Sequence, residues 1–125
     1  MSVPERVRNH WWWRPGWRAG RPIYSWHFIL PSDETIRAHA AAYQEVLSAY
    51  DVLDIVPLEW LHMTTQDVCF ADEISDADRD AMVEDVRGRL RSHEPFTVTF
   101  GAPTVWTEGV VLLPEQNAPF AAVRE

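Results

Sequence analysis

From residue 22 onward the chain alternates between two apolar periodicities, two residues and then three to four, in short blocks separated by turn residues. Each switch of period marks a change from strand to helix, so the order of blocks restricts the fold before any single residue is interpreted. Ile23–Leu30 (IYSWHFIL) is aromatic and β-branched, with Tyr24, Trp26, Phe28 and Leu30 on one face and Ser25, His27 and Ile29 on the other. A helix is predicted over about residues 33–50: Ser32 can cap it, Asp33 and Glu34 suit its positive N-terminal dipole, and Ile36, Ala40, Tyr43, Leu47 and Tyr50 form its stripe.

After Pro57, residues Leu61–Phe70 (LHMTTQDVCF) read as a second strand. Leu61, Met63, Thr65 and Asp67 form its inward set, with His62, Thr64 and Gln66 opposite. A second helix begins at Ser75, whose spacing to Asp78 resembles a capping box, and runs to about Ser92 on the stripe Met82, Val86, Leu90. Phe96–Phe100 and Gly109–Leu113 read as two further strands, and Ala118–Glu125 as the opening of a helix. The order β-α-β-α-β-β plus a helix predicts an α+β layer: a mainly antiparallel sheet covered on one face by two helices.

Composition narrows the chemistry. All eleven cationic side chains are Arg, and the absence of Lys removes Walker-A nucleotide binding, lysine Schiff bases and kinase-type phosphoryl transfer. Any bound phosphate must be met by Arg, His, hydroxyls or backbone N–H groups. The single Cys69 cannot form an internal disulfide or a Cys-based zinc cluster, and is read as an inert core thiol. No apolar run reaches the ~18 residues of a membrane span. With nothing calling for an oxidising compartment, a cytoplasmic location is expected.

Charge divides the chain in two. Residues 1–21 hold five Arg against one Glu, whereas the rest holds six Arg against eighteen acids, within a net charge of −8. The basic arm also contains Trp11, Trp12, Trp13 and Trp17, four of seven tryptophans. Arg interleaved with Trp can neutralise phosphates and stack bases. Alternatively, indoles so concentrated fold back over the core. Arg14, Arg18 and Arg21 are candidate bidentate phosphate clamps from this arm.

Among five histidines, His62 stands out because Thr64 projects from the same strand face two residues later. Imidazole moves protons near neutral pH, and a hydroxyl can donate to a nonbridging phosphoryl oxygen. Gln66, two further along, is a candidate substrate donor. His27 joins this cleft if the first strand neighbours the motif strand; it then contacts phosphate or base, or even titrates as a second group. The alternative is an imidazole bonded to backbone beneath the arm.

The run from Tyr24–Phe28 (YSWHF) through the first helix to Pro57–Gln66 (PLEWLHMTTQ) resembles the 2′-5′ RNA ligase-like members of the two-histidine phosphoesterase superfamily, and Asn9–Trp17 (NHWWWRPGW) looks like the start of a bacterial branch. That resemblance implies two pseudo-symmetric lobes, each bringing one His-x-Thr/Ser motif to a shared cleft. It implies catalysis without metal or other cofactor, in which one His is general base and the other general acid on a 2′,3′-cyclic phosphate or 2′-5′ linkage of RNA or a nucleotide. His62 and Thr64 match the first motif. No other His here is followed two positions later by Thr or Ser. Residues 22–125 are therefore expected to be one lobe that lacks its partner, completed by a missing C-terminal lobe or by a homodimer. With one motif the chain alone is expected to be a weak enzyme, or a non-catalytic nucleotide- or RNA-binding module.

Overall fold

The computed structural model describes residues 2–30, 32–116 and 118–125. Its elements are β1 (Ile23–Ile29), α1 (Glu34–Leu47), β2 (His62–Phe70), α2 (Asp76–Leu90), β3 (Phe100–Trp106), β4 (Gly109–Pro114) and α3 (Ala118–Arg124), with 3₁₀ turns at Leu58–Trp60 and Ala71–Glu73. The α+β class and the antiparallel pairing match the expectation. The pairing is divided between two ribbons, β1–β2 and β3–β4, rather than joined in one sheet.

Local signals account for most element boundaries. The α2 N-cap is Ser75, whose side chain accepts from the Asp78 N–H as its spacing predicts. For α1 the cap is Asp33 instead of Ser32: the Asp33 carboxylate accepts from the Ile36 N–H at 3.0 Å. The same helix stops at Leu47, short of Tyr50, because the chain tightens into a turn with the Tyr50 N–H donating to the Leu47 carbonyl.

The expected strand Phe96–Phe100 is corrected to Phe100–Trp106. Gly101 and Pro103 read as strand breakers, but among the described residues β3 has only β4 as a neighbour, and a proline N can face the unpaired side of such an edge. The register runs back from the Trp106↔Gly109 turn through a shift between Phe100 and Pro103, so β4 is used up at Pro114, opposite Phe100. Phe96 serves another purpose. Its ring meets Phe28 of β1 at 6.3 Å and Phe120 of α3 at 5.4 Å, and Phe28 meets Phe120 at 5.4 Å, all edge to face. Each such pair contributes roughly 0.5–1.5 kcal/mol beyond area burial, and the three link α3 and the segment ahead of β3 to β1.

On the Tyr24/Trp26 face of β1, α2 brings up Val83, Val86 and Leu90 around Trp26, and Arg79 Nη1 lies 3.4 Å from the Tyr24 hydroxyl. Burial is shallow: among the described residues only Ala40 is buried, at 6% exposure. The accessible surface is 9799 Å², against the ~6,900 Å² typical of a compact 14.5 kDa monomer. Among the described residues no helix is long and apolar enough to cross a membrane.

The N-terminal arm folds back. Its Arg8 N–H donates to the Thr107 carbonyl at 2.7 Å, beside the β3–β4 turn, and the side chains of Arg8, His10, Trp12 and Arg14 close on Glu108 at 2.8–3.0 Å. The Glu108 side chain is left only 3% exposed. Trp12 is stacked by both Arg8 and Arg14, and Arg14 also covers Trp17. Further along, Arg21 forks onto Asp72 and lies 3.7 Å over the Phe70 ring. Trp11 and Trp13 remain exposed, at 74% and 68%.

Candidate functional site

His62 is the first residue of β2, separated by Leu61 alone from the Leu58–Trp60 turn. Pro57 precedes that turn with a fixed φ of −53°, and the Trp60 N–H closes it by donating to the Pro57 carbonyl at 2.9 Å. The turn aims the Trp60 carbonyl at the His62 ring, whose Nδ1 lies 2.7 Å away. A carbonyl can only accept, so Nδ1 carries the hydrogen and Nε2 of the neutral ring keeps its lone pair. A backbone contact thereby sets the tautomer and presents a proton acceptor on an exposed face.

The antiparallel register supplies the rest. His27 pairs with Thr64, and Ile29 with His62, so the motif residues share a face with the outer residues of β1. The His27 and His62 rings meet edge to face with centroids 4.7 Å apart. His27, His62 and Thr64 are all exposed. Two imidazoles and a hydroxyl thus share one exposed face, on which Thr64 and His27 can donate to an anion while His62 Nε2 stands as a proton acceptor.

Other residues lie elsewhere. The register shifts after the His27–Thr64 pair, so Thr65 becomes the extra residue of a bulge and Gln66 stands opposite Trp26 instead of Ser25. Gln66 is exposed, but its cross-strand partner belongs to the other face of β1. Beyond the bulge Ser25 donates to Asp67 at 2.6 Å. Arg18 and Arg21 are tied to Asp72, just past Phe70 at the far end of β2. Eight strand steps of ~3.3 Å put that end roughly 26 Å from His62, further than an arginine reaches. Arg14 is tied to Glu108 at the β3–β4 turn. The structure therefore does not bring the three arginines to His62; carboxylates of the acidic body take them up.

These pairings set the electrostatics of the arm. Hydrogen bonding from the Trp12 indole, reinforced by His10, Arg8 and Arg14 and opposed by burial, pulls the Glu108 carboxyl down to about 2. The Arg21 fork likewise holds Asp72 below the usual carboxylate range. Neither carboxylate was foreseen as important. Glu108 is one acid among nineteen and its partners lie about a hundred residues away in sequence, so only the charge asymmetry hinted at it. Trp60 was also missed; its signal was its place two residues ahead of His62.

An α+β chain whose motif strand presents His-x-Thr to solvent is compatible with the two-histidine phosphoesterase class. Comparison with protein-family profiles matches residues 31–125 to the 2′-5′ RNA ligase superfamily, and the chain belongs to that family. Comparison with curated proteins and with solved structures gave no match.

Proposed function

We propose that the chain is the His62/Thr64 lobe of a metal-independent RNA or nucleotide phosphoesterase, acting on a 2′,3′-cyclic phosphate or a 2′-5′ phosphodiester. The observation that carries this reading is the bond between His62 Nδ1 and the Trp60 carbonyl, which leaves Nε2 as a base on the same exposed face as Thr64 and His27. In hydrolysis Nε2 takes a proton from water as its oxygen attacks phosphorus. Thr64 and His27 donate to nonbridging oxygens, and the departing ribose oxygen is protonated by a second acid.

That acid belongs to a second His-x-Thr/Ser lobe or to a second copy of this chain. Residues 1–21 are on this reading an arm bound to the lobe 22–125. The single motif also supports a second reading, a module that keeps the fold and binds nucleotide without turnover.

Hydrolysis of a 2′,3′-cyclic nucleotide in EDTA separates the readings. Turnover that persists in EDTA and falls with His62→Ala is expected for the enzyme. Activity indifferent to that substitution would remove His62 from the site, and saturable binding without turnover would select the module.

A further inference from the structure

The arm brings more positive charge to Glu108 than one carboxylate balances. Arg8 turns both Nε and Nη2 onto a single oxygen of Glu108, at 3.0 and 2.9 Å, and the Trp12 indole donates to the same oxygen at 2.8 Å. The other oxygen accepts from Arg14 Nη2 at 2.8 Å and lies 3.0 Å from His10 Nδ1. Two guanidinium groups thus close on one anion whose side chain is 3% exposed. An arginine fitted to a carboxylate spreads its N–H groups over both oxygens, as Arg21 does on Asp72. On Glu108 the nitrogens are crowded instead. A phosphomonoester, with three terminal oxygens and a charge of about −1.5 to −2 at neutral pH, matches such a donor set better.

The donor set is also shaped by bonds of its own. The Trp11 N–H donates to Asn9 Oδ1 at 2.8 Å, and the His10 carbonyl accepts from the Trp12 N–H at 3.1 Å and from Arg14 Nη1 at 3.3 Å. Arg8 and Arg14 both lie on the Trp12 ring, 4.9 and 4.8 Å from its centroid. The Arg8 N–H is anchored on the Thr107 carbonyl without help from the Glu108 side chain. Exchange of Glu108 for another anion therefore needs little else to move.

We infer that Arg8, His10, Trp12 and Arg14 form a phosphomonoester-binding site, which the Glu108 carboxylate fills in the free chain and yields to the ligand. The site is independent of the His62/Thr64 reading: the family match begins at residue 31, and neither the four donors nor Glu108 belongs to the β1–β2 ribbon.

Glu108→Gln tests it, since that change removes the competing charge and keeps the side-chain volume. Thermal unfolding of the full chain is compared in sodium phosphate and in sodium chloride of equal ionic strength. Phosphate should raise the Tm of Glu108→Gln and slow proteolysis within residues 2–21, at concentrations at least about tenfold lower than the wild type requires, because no carboxylate has to be displaced. Adding Arg14→Ala should abolish both effects, while adding His62→Ala should leave them. A short single-stranded RNA separates the sources of the phosphate. Stronger protection by its 5′-phosphorylated form than by inorganic phosphate assigns the site to RNA ends, and equal protection assigns it to free phosphate. Equal protection by the 5′-phosphorylated and 5′-hydroxyl RNAs overturns the site, as does equal protection by phosphate and chloride. So does a phosphate effect that survives Arg14→Ala or vanishes with His62→Ala. In the wild type, phosphate at higher concentration should perturb the His10 imidazole NMR signals, and unperturbed signals overturn the site even if Glu108→Gln fails to fold.

Discussion

The imidazole of His27 meets that of His62 edge to face across the β1–β2 ribbon, with 4.7 Å between ring centroids. The contact exists because the register pairs His27 with Thr64 and Ile29 with His62, one pair short of a bulge that would have carried the strands out of step. It turns a two-residue motif into a three-residue face. The two rings are unequally held, since the Trp60 carbonyl bonds the His62 ring.

That inequality predicts different losses. His62→Ala should lower kcat/KM for a 2′,3′-cyclic nucleotide by roughly 10²–10⁴-fold, the usual contribution of one general acid or base. His27→Ala should fall by about tenfold, mainly in KM, as expected for one hydrogen bond to a phosphate oxygen. Steady-state kinetics of the two variants on one substrate would decide it; equal losses in kcat would place both rings in proton transfer.

Thr64 should be replaceable by Ser but not by Val. Serine keeps the hydroxyl, whereas Val preserves the β-branched shape that suits a strand and removes only the donor. The expected loss for Thr64→Val is roughly ten- to hundred-fold in kcat/KM, from a hydrogen bond to a charged group. Retained activity in the Val variant would show that the hydroxyl does not touch the phosphate.

Acid should release the arm. Glu108 is held at about 2 by the arm's donors, below the ordinary 4.5, so its grip is complete above about 4.5 and is lost as pH falls from there towards 2. Tryptophan fluorescence should report Trp12 and Trp17 leaving their packed positions over that window. Glu108→Gln should lower Tm by several degrees near neutral pH and speed proteolysis within residues 2–21, since Arg8 and Arg14 lose their common anion. A variant with wild-type Tm and protease resistance would show that the arm is held by its indoles alone.

Gly16 is the backbone hinge of the arm. Its φ is +82°, and a Cβ there would stand 2.7 Å from the Phe70 ring. Gly16→Ala should therefore cost about 1–2 kcal/mol from the left-handed backbone, with a further penalty from displacing Phe70 beneath Arg21. Urea unfolding measures the loss, and an unchanged midpoint would mean that this turn is not needed to dock the arm.

Much of this architecture follows from forces that act within a few residues. The alternation of Tyr24, Trp26 and Phe28 with His27 and Ile29, the Ser75 cap and the placing of His62 and Thr64 on one exposed face are all local consequences of side-chain period and capping. Even the family is legible there, because its motif lies within one strand. Local pattern misplaced β3, since Gly101 and Pro103 oppose a strand everywhere except on a ribbon with one free edge. Nor could it divide the strands into two ribbons, match His27 to His62, or send Arg14 to Glu108 and Arg21 to Asp72. Those outcomes depend on register and on charges between about fifty and a hundred residues apart, which become neighbours only once the chain has closed on itself.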